Sequence, residues 1–184
     1  WRNATNQSDC MRHQPVVLYL FLFTLLMVVV MRWHGVPLYT EAAPMGIVSL
    51  ELARTTNVSN TIISSWQQAP NAVLQRAIVN TWIDFVFIIA YSLFLFSCCV
   101  VLAHRQRGIA HQLSKLMALA ALTAGLCDVV ENACLLQQLE TDVSALLSWC
   151  TWLLASIKFL LLALVVLWCI AVRVMLWSNQ NHNA

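Results

Sequence analysis

The sequence predicts an all-α fold, an integral membrane four-helix bundle with one or two extra amphipathic helices on its outer side. Three observations support this class. Of the 184 residues, 60% are hydrophobic. Only 10% are charged, whereas soluble domains carry about a quarter charged residues. The apolar residues also form four stretches long enough to cross a membrane, since a spanning helix needs about 20 such residues.

The four expected spans cover about residues 15–33, 78–103, 113–136 and 146–173. Pro15 is expected in the first turn of the first helix, where a missing N–H costs little. This stretch is interpreted as a retained span because no small-residue cleavage site follows it. One membrane domain would then cover residues 15–177, between an N-terminal extension (1–14) and a tail (178–184). Met11 begins a suitable insertion sequence, so residues 1–10 are expected to be disordered or foreign to the natural protein.

Basic residues in short loops predict the orientation, because lysine and arginine accumulate on the cytoplasmic side. The loop between spans two and three contains Arg105, Arg107 and Lys115 and no acidic residue, whereas the next loop contains Glu140 and Asp142 and no basic residue. Both termini are therefore expected in the cytoplasm. The basic loop could touch anionic lipid headgroups, although the topology signal alone explains it.

The segment between spans one and two carries few charges for its length. We expect one or two short helices at about residues 44–69, on or within the outer membrane interface. Val48, Leu52, Ile62 and Trp66 recur at roughly helical spacing, with a break predicted at Asn57 and Ser59. Tryptophans are typical of membrane interfaces, so Trp66 is expected there too.

Ionisable side chains within the spans are the main functional signal. At 1.5 Å per residue, Asp84 lies about 9 Å below the outer end of span two. Asp128, Glu131 and Asn132 lie about 7–13 Å below the outer end of span three, and Lys158 about 15 Å below that of span four. Because three helices bring these groups to one layer, we predict a polar pocket in the outer half of the membrane.

Helical periodicity places these groups on inward faces. Asp128, Glu131 and Asn132 share one face of span three, and small residues follow below them on that face: Ala121, Ala124 and Gly125. Tyr91 lies on the same stripe of span two as Asp84, together with Ile88 and Leu95. Lys158 shares a stripe of span four with Ser148, Thr151 and Ala155. We therefore expect spans two, three and four to pack with these stripes inward.

Charge balance restricts how the cluster is built. A charged side chain at the bilayer centre costs about 2.5–3.5 kcal/mol on insertion scales. Three carboxylates beside one ammonium therefore require a protonated acid, a cation or water. Lys158 is expected to pair with Glu131 or Asp84, between which the sequence does not decide. Glu51 could cover the cluster from above, although a pair with Arg54, one turn further on, is the simpler interpretation.

Other kinds of site lack the residues they need. The five histidines lie outside the spans, which argues against haem or a zinc site. No phosphate-binding glycine loop is present, so we expect no cofactor, no metal and no nucleic acid partner. The absence of C-x-x-C argues against a thiol oxidoreductase. Cys134 and Cys150 flank the outer hairpin, but a disulfide between them is not expected because helix ends fray.

Three functions remain open. The first is binding of a cation, a proton or a small polar solute, in transport or sensing. The second is a structural or assembly subunit whose charges clamp the helices, and the third is a membrane enzyme acting on a lipid-like substrate through its carboxylates. Binding is favoured over catalysis. The lipid bilayer is an expected partner, and a transporter with four short spans would need to form a homo-oligomer.

Several segments carry a resemblance: GIVSLELA, WIDFVFIIAYSLFL, AGLCDVVEN and ASIKF. In this order they resemble segments of an uncharacterised bacterial family of four-span integral membrane proteins, over nearly the whole chain from residue 11 onward. The matching segments contain the unusual charged residues, namely Glu51, Asp84, Asp128, Glu131 and Lys158. The resemblance implies the four-span topology and a bacterial inner membrane, but no reaction.

Overall fold

The chain folds entirely as helices and connecting turns in the computed structural model, which describes residues 2–182 and the side chains of residues 15–178. The helices are α1 (Arg2–Gly35), α2 (Ile47–Glu51), α3 (Thr56–Gln68), α4 (Val73–His104), α5 (Ile109–Glu140) and α6 (Ala145–His182), with a short 3-10 turn at Val36–Leu38. Within the described residues, α1, α4, α5 and α6 are long and apolar enough to span a membrane. The predicted class, an all-α four-helix membrane bundle, is confirmed.

The candidate spans are Pro15–Leu38, Val73–His104, Ile109–Glu140 and Ala145–Ser178, each somewhat longer than predicted. Pro15 lies inside α1, so its predicted position in the first turn was wrong. Residues ahead of it continue the helix, and membrane helices tolerate an internal proline because neighbouring groups satisfy the freed carbonyl. The predictions for the two termini include Trp1 and residues 183–184, and these residues lie outside the described part of the chain.

The bundle is built around α4. It packs against α5 and α1 and makes a smaller contact with α6, while α5 packs along α6. In the described residues, α1 has little contact with α5 or α6. Small side chains allow α4 and α5 to approach: Ala121, Ala124 and Gly125 are buried, and a Cβ added to Gly125 would clash with the Ser92 hydroxyl.

The segment between α1 and α4 forms a cap over one end of the bundle, which we call the cap end. Leu38, Leu50, Ile62 and Trp66 are buried there in one apolar cluster with Leu135 of α5. The Trp66 indole Nε1 donates a hydrogen bond to the Leu38 carbonyl at 3.0 Å. Trp66 is therefore a core residue of the cap, and its position at the level of the outer membrane interface stays a prediction.

The outer segment contains two short helices, but the predicted break between them was misplaced. The chain leaves the helical conformation between α2 and α3, where Thr55 is extended (φ −119°, ψ 147°). Asn57 and Ser59 instead lie in the first turn of α3, where short polar side chains are well tolerated. Ser59 is buried, and its hydroxyl contacts that of Ser148 at 3.1 Å, so this turn of α3 docks against α6.

Candidate functional site

An ammonium group lies at the centre of the polar cluster. The Lys158 Nζ of α6 lies 2.7 Å from an Asp128 oxygen, 2.9 Å from a Glu131 oxygen and 3.2 Å from a Glu51 oxygen. All four side chains are buried. Because the three acids come from α5 and α2, one lysine ties three helices together at the cap end. The predicted pair with Glu131 is confirmed, with two further acids beside it.

Asp84 does not contact Lys158, so of the two pairings that the sequence left open only the one with Glu131 is formed. The Asp84 Oδ2 instead accepts a hydrogen bond of 2.7 Å from the Asn132 amide of α5. The Tyr91 hydroxyl of α4 donates to the second oxygen of Asp128, also at 2.7 Å. Thus α4 is joined to α5 at two adjacent points.

Glu51 reaches the cluster because of how α2 ends. It is the last residue of that helix, and its carboxylate points toward Lys158. Arg54 lies beyond the helix end and stacks over the Trp152 ring, with its Cζ 4.8 Å from the ring centroid. The simpler expectation of a Glu51–Arg54 pair was therefore wrong, since the two residues are not on one continuous helix. All seven residues singled out in the sequence lie together.

A pocket of about 370 Å³ lies beside the cluster, within the size range of small-molecule sites, about 300–1,000 Å³. Its polar lining consists of Glu51, Asn80, Asp84, Asp128 and Lys158. Further along α4 and α6 the lining is apolar: Phe87, Leu95, Phe159, Leu162 and Val166. The pocket thus combines charged groups near Lys158 with apolar side chains further along the same two helices.

The pocket lies on a lateral face of the bundle. Its walls belong partly to α1 and α6, two helices with little mutual contact in the described residues. Phe159 is 40% exposed and Val166 is 41% exposed, so its apolar lining continues onto the surface that faces lipid. Arg32 and Tyr39 line it where α1 meets the cap, and the guanidinium donates to the Tyr39 hydroxyl at 3.1 Å.

The cluster contains more acceptors and more negative charge than its own donors balance. Glu51, Asp128 and Glu131 surround one ammonium, and Asp84, which lines the pocket, adds a fourth carboxyl group. Among the described atoms, Glu131 Oε2 and Asn80 Oδ1 are buried without a hydrogen-bond partner, and Glu51 Oε2 has its ion pair but no hydrogen bond. A side cavity of about 20 Å³ lies against Glu51, Asn80, Asp84 and Asn132, which is room for about one water molecule.

A second polar network lies nearer the cap and satisfies its own groups. The Gln138 amide donates to the Thr151 hydroxyl at 2.9 Å and accepts from the Ser148 hydroxyl at 3.3 Å. Ser148 in turn contacts Ser59 of α3. Buried and paired in this way, the network joins α5, α6 and the cap, and we assign it a packing role.

Sequence reasoning missed Asn80, Arg32 and Gln138. Asn80 lies four residues before Asp84, so helical spacing already placed its amide on the same face of α4. Gln138 lies seven residues after Glu131, again on the same face. Arg32 carried no such signal, because a basic residue at the end of a span is ordinarily a topology signal.

These observations define a multi-pass membrane protein with a buried ion cluster beside a lateral pocket. Within the described residues, no three histidine, cysteine or acidic side chains are arranged to hold a metal ion, and Cys134 and Cys150 are free thiols. Comparisons of the chain with protein-family models, curated proteins and solved structures found no match. Any functional assignment therefore depends on the site.

Proposed function

We propose that this protein binds a small molecule within the membrane, one that carries a cationic group on an apolar body. The observation that carries the proposal is the pocket of about 370 Å³, whose lining combines acidic and apolar side chains. The acidic side chains suit a positively charged or hydrogen-bond-donating group, and the apolar side chains suit hydrocarbon or an aromatic ring.

Charge explains the preference for a cation. Four carboxyl groups lie in the cluster and the pocket, against the Lys158 ammonium and the Arg32 guanidinium, and unbalanced charge is costly inside a membrane. A cationic ligand beside Asp84 and Glu51 supplies the missing charge, whereas an anion would add to the excess. Proton binding by one carboxyl meets the same need when no ligand is present, so ligand binding and proton release would be coupled.

Size argues for a molecule larger than a metal ion or a proton. A monatomic ion needs only a few oxygens at about 2–2.6 Å, while this pocket extends along α6 from Lys158 to Val166. We therefore narrow the ligand from a cation, proton or small polar solute to an organic cation. Binding of this kind is the first step of either transport or sensing.

A purely structural role explains part of the cluster. Lys158 with its three acids is a well-formed clamp between helices, and membrane proteins use polar groups in this way. A clamp does not require the adjoining pocket or the separate Asp84–Asn132 pair. These features favour binding over an assembly role.

The lateral position of the pocket favours a second candidate, a membrane enzyme acting on a lipid-like substrate. A substrate could enter from the bilayer between α1 and α6, and carboxyl groups can act as general acid and base. Recovery of the bound molecule distinguishes the two functions. An enzyme converts it to product, whereas a binding protein releases it unchanged.

We further propose that both termini are cytoplasmic and that the cap end faces outward. The support is the contrast between the basic loop at one end and Glu140 and Asp142 at the other. We also propose that the chain belongs to the bacterial four-span family that its segments resemble, and lies in a bacterial inner membrane.

Decylammonium is a suitable probe because it combines one cationic group with one alkyl chain. Its binding is measured by calorimetry on the full-length protein in nanodiscs of neutral phosphatidylcholine, with empty nanodiscs subtracted. We expect saturable binding to the wild type and none of decyl sulfate. Asp84→Asn should weaken binding by about 30-fold, since losing one partner of a buried charge pair costs about 2 kcal/mol or more.

Glu140→Gln is the matched control. Glu140 lies at the same end of the bundle but is exposed and does not line the pocket, so its loss should leave decylammonium affinity unchanged. Equal binding of decylammonium to the wild type and to Asp84→Asn would overturn the proposal. So would a preference for decyl sulfate.

A further inference from the structure

A second large cavity lies at the opposite end of the bundle, which we call the basic end. It has a volume of about 540 Å³ and lies between α1, α4 and α6. Arg105 and Arg173 line it, together with uncharged side chains: Val17, Cys98, Val101, Leu102 and Cys169. Two guanidinium groups from different parts of the chain therefore converge on a cavity whose other walls are apolar or weakly polar.

Nothing among the described side chains neutralises these arginines. The ion pairs of the described residues all involve Lys158 at the cap end. Around the basic end, residues 85–127 and 159–178 contain no aspartate or glutamate. A guanidinium presents a planar array of donors that matches the oxygens of a phosphate group. The chemistry of this cavity therefore suits a phosphate-bearing anion.

The apolar surroundings favour a phosphate carried by a lipid over a free one. One stripe of α4 and one stripe of α6 run from the first cavity to the second. The stripe of α4 consists of Phe87, Tyr91, Leu95, Cys98 and Leu102, with Arg105 directly after the helix end. The stripe of α6 consists of Phe159, Leu162, Val166, Cys169 and Arg173. Between Phe159 and Arg173, α6 is uncharged over about 20 Å of helix. An alkyl chain can lie along these two stripes, in the space between α1 and α6 that we call the seam, while its headgroup stays at the arginines.

We propose that Arg105 and Arg173 form a binding site for the phosphate group of an anionic membrane lipid, with an acyl chain in the seam between α1 and α6. Basic pockets between membrane helices are a known way of holding anionic headgroups. The headgroup site is separate from the pocket at the cap end, and Arg105 and Arg173 play no part in the proposed binding of a cation. The acyl chain shares only the apolar stripes of α4 and α6 with that pocket.

Native mass spectrometry of the full-length protein in detergent tests this site. Phosphatidylglycerol is titrated against phosphatidylcholine with the same acyl chains, so that only the headgroup differs. We expect the wild type to retain phosphatidylglycerol in preference. Arg105→Gln and Arg173→Gln should each weaken that binding about fivefold, because a basic residue near an anionic headgroup contributes about 1 kcal/mol. The double variant should show about a 25-fold loss.

Arg107→Gln is the matched control, because Arg107 lies in the same loop and is exposed but does not line the cavity. It should bind phosphatidylglycerol like the wild type. Arg105 and Arg173 are also exposed, so their replacement should leave the unfolding temperature nearly unchanged. Equal losses in all three single variants would mean general attraction to the basic end and would overturn the site.

A further titration separates the two sources of phosphate. If glycerol phosphate competes as well as phosphatidylglycerol, the apolar seam contributes nothing and the lipid assignment is wrong. Equal retention of phosphatidylglycerol and phosphatidylcholine would also overturn it. Failure of the decylammonium experiment has no bearing on either result.

Discussion

Replacing Lys158 by methionine is the most direct test of how the cluster is held together. Methionine keeps most of the length of the side chain and removes the ammonium. Three carboxylates then lose their shared partner, since Asp128, Glu131 and Glu51 lie within 2.7–3.2 Å of the Lys158 Nζ. All three are buried, so water cannot readily take the place of the lost cation.

The expected cost is about 3–5 kcal/mol, the usual effect of removing one member of a buried ion pair. For a chain of this length, 1 kcal/mol corresponds to about 2–4 °C in unfolding temperature. We therefore expect a decrease of about 6–20 °C. Because Glu51 belongs to the cap, part of the loss should appear as loosening of α2 and α3.

The deficit should depend on pH. In Lys158→Met, each proton bound by a carboxyl removes an unpaired buried charge, so acidification favours the folded variant. In the wild type the Lys158 ammonium already balances part of this charge, so the same protons stabilise the folded protein less. The difference in unfolding temperature between the two proteins should therefore shrink as the pH falls, and it should widen as the pH rises.

Thermal unfolding in detergent, followed by tryptophan fluorescence, measures both effects. Lys115→Met is the control, because Lys115 is exposed and has no acidic partner among the described residues. It should shift stability by no more than about 0.5 kcal/mol. If Lys158→Met unfolds at the same temperature as Lys115→Met, or if its deficit is independent of pH, the cluster is not held by this ammonium.

Three further predictions concern packing. Gly125→Leu should cost about 1–3 kcal/mol, since its larger side chain would overlap the Ser92 and Ile88 side chains of α4; wild-type stability would contradict the α4–α5 contact. Trp66→Phe removes the hydrogen bond to the Leu38 carbonyl and should cost about 1–3 kcal/mol, with faster hydrogen exchange in the cap; unchanged exchange would argue against the cap as described. Cys99 and Cys169 have sulfur atoms 3.6 Å apart, so a membrane-permeant oxidant should link α4 to α6 by a disulfide visible in peptide mass spectrometry, and absence of the link would contradict the contact.

The sequence was sufficient for the helices and for the residues that meet at the cluster. Depth follows from the fixed rise per residue, so Asp84, Asp128 and Lys158 could be assigned to one layer before any packing was known. Their sidedness follows equally from helical period, and the stripe of Lys158 is indeed buried along its length: Ser148, Thr151 and Ala155. Counting residues along a helix therefore predicts the depth and the facing direction of a side chain reliably where the helix is straight.

The individual partners and the pocket could not be predicted, because they depend on how helices are placed relative to one another. Whether Lys158 meets Asp84 or Glu131 depends on how α4 and α5 are rotated against α6, which periodicity does not determine. Glu51 was assigned to the wrong partner because α2 ends sooner than its pattern suggests. The pocket arises because α1 packs on α4 and not on α6. The apolar sequence of α1 is compatible with packing on either helix, so it does not predict which one α1 contacts.

The clamp and the binding pocket share Glu51 and Asp128 but are compatible, because Asp84 lines the pocket without contacting Lys158. Lys158 holds Asp128, Glu131 and Glu51, so these acids have a partner within the protein and contribute mainly to stability. Asp84 is outside that group in the described structure; one of its oxygens accepts from Asn132, and the residue lines the pocket. Asp84 is therefore the carboxylate of the cluster that the protein's own groups neutralise least, and we expect a ligand cation to bind beside it. For this reason Asp84→Asn can separate binding from stability, whereas Asp128→Asn would change both together.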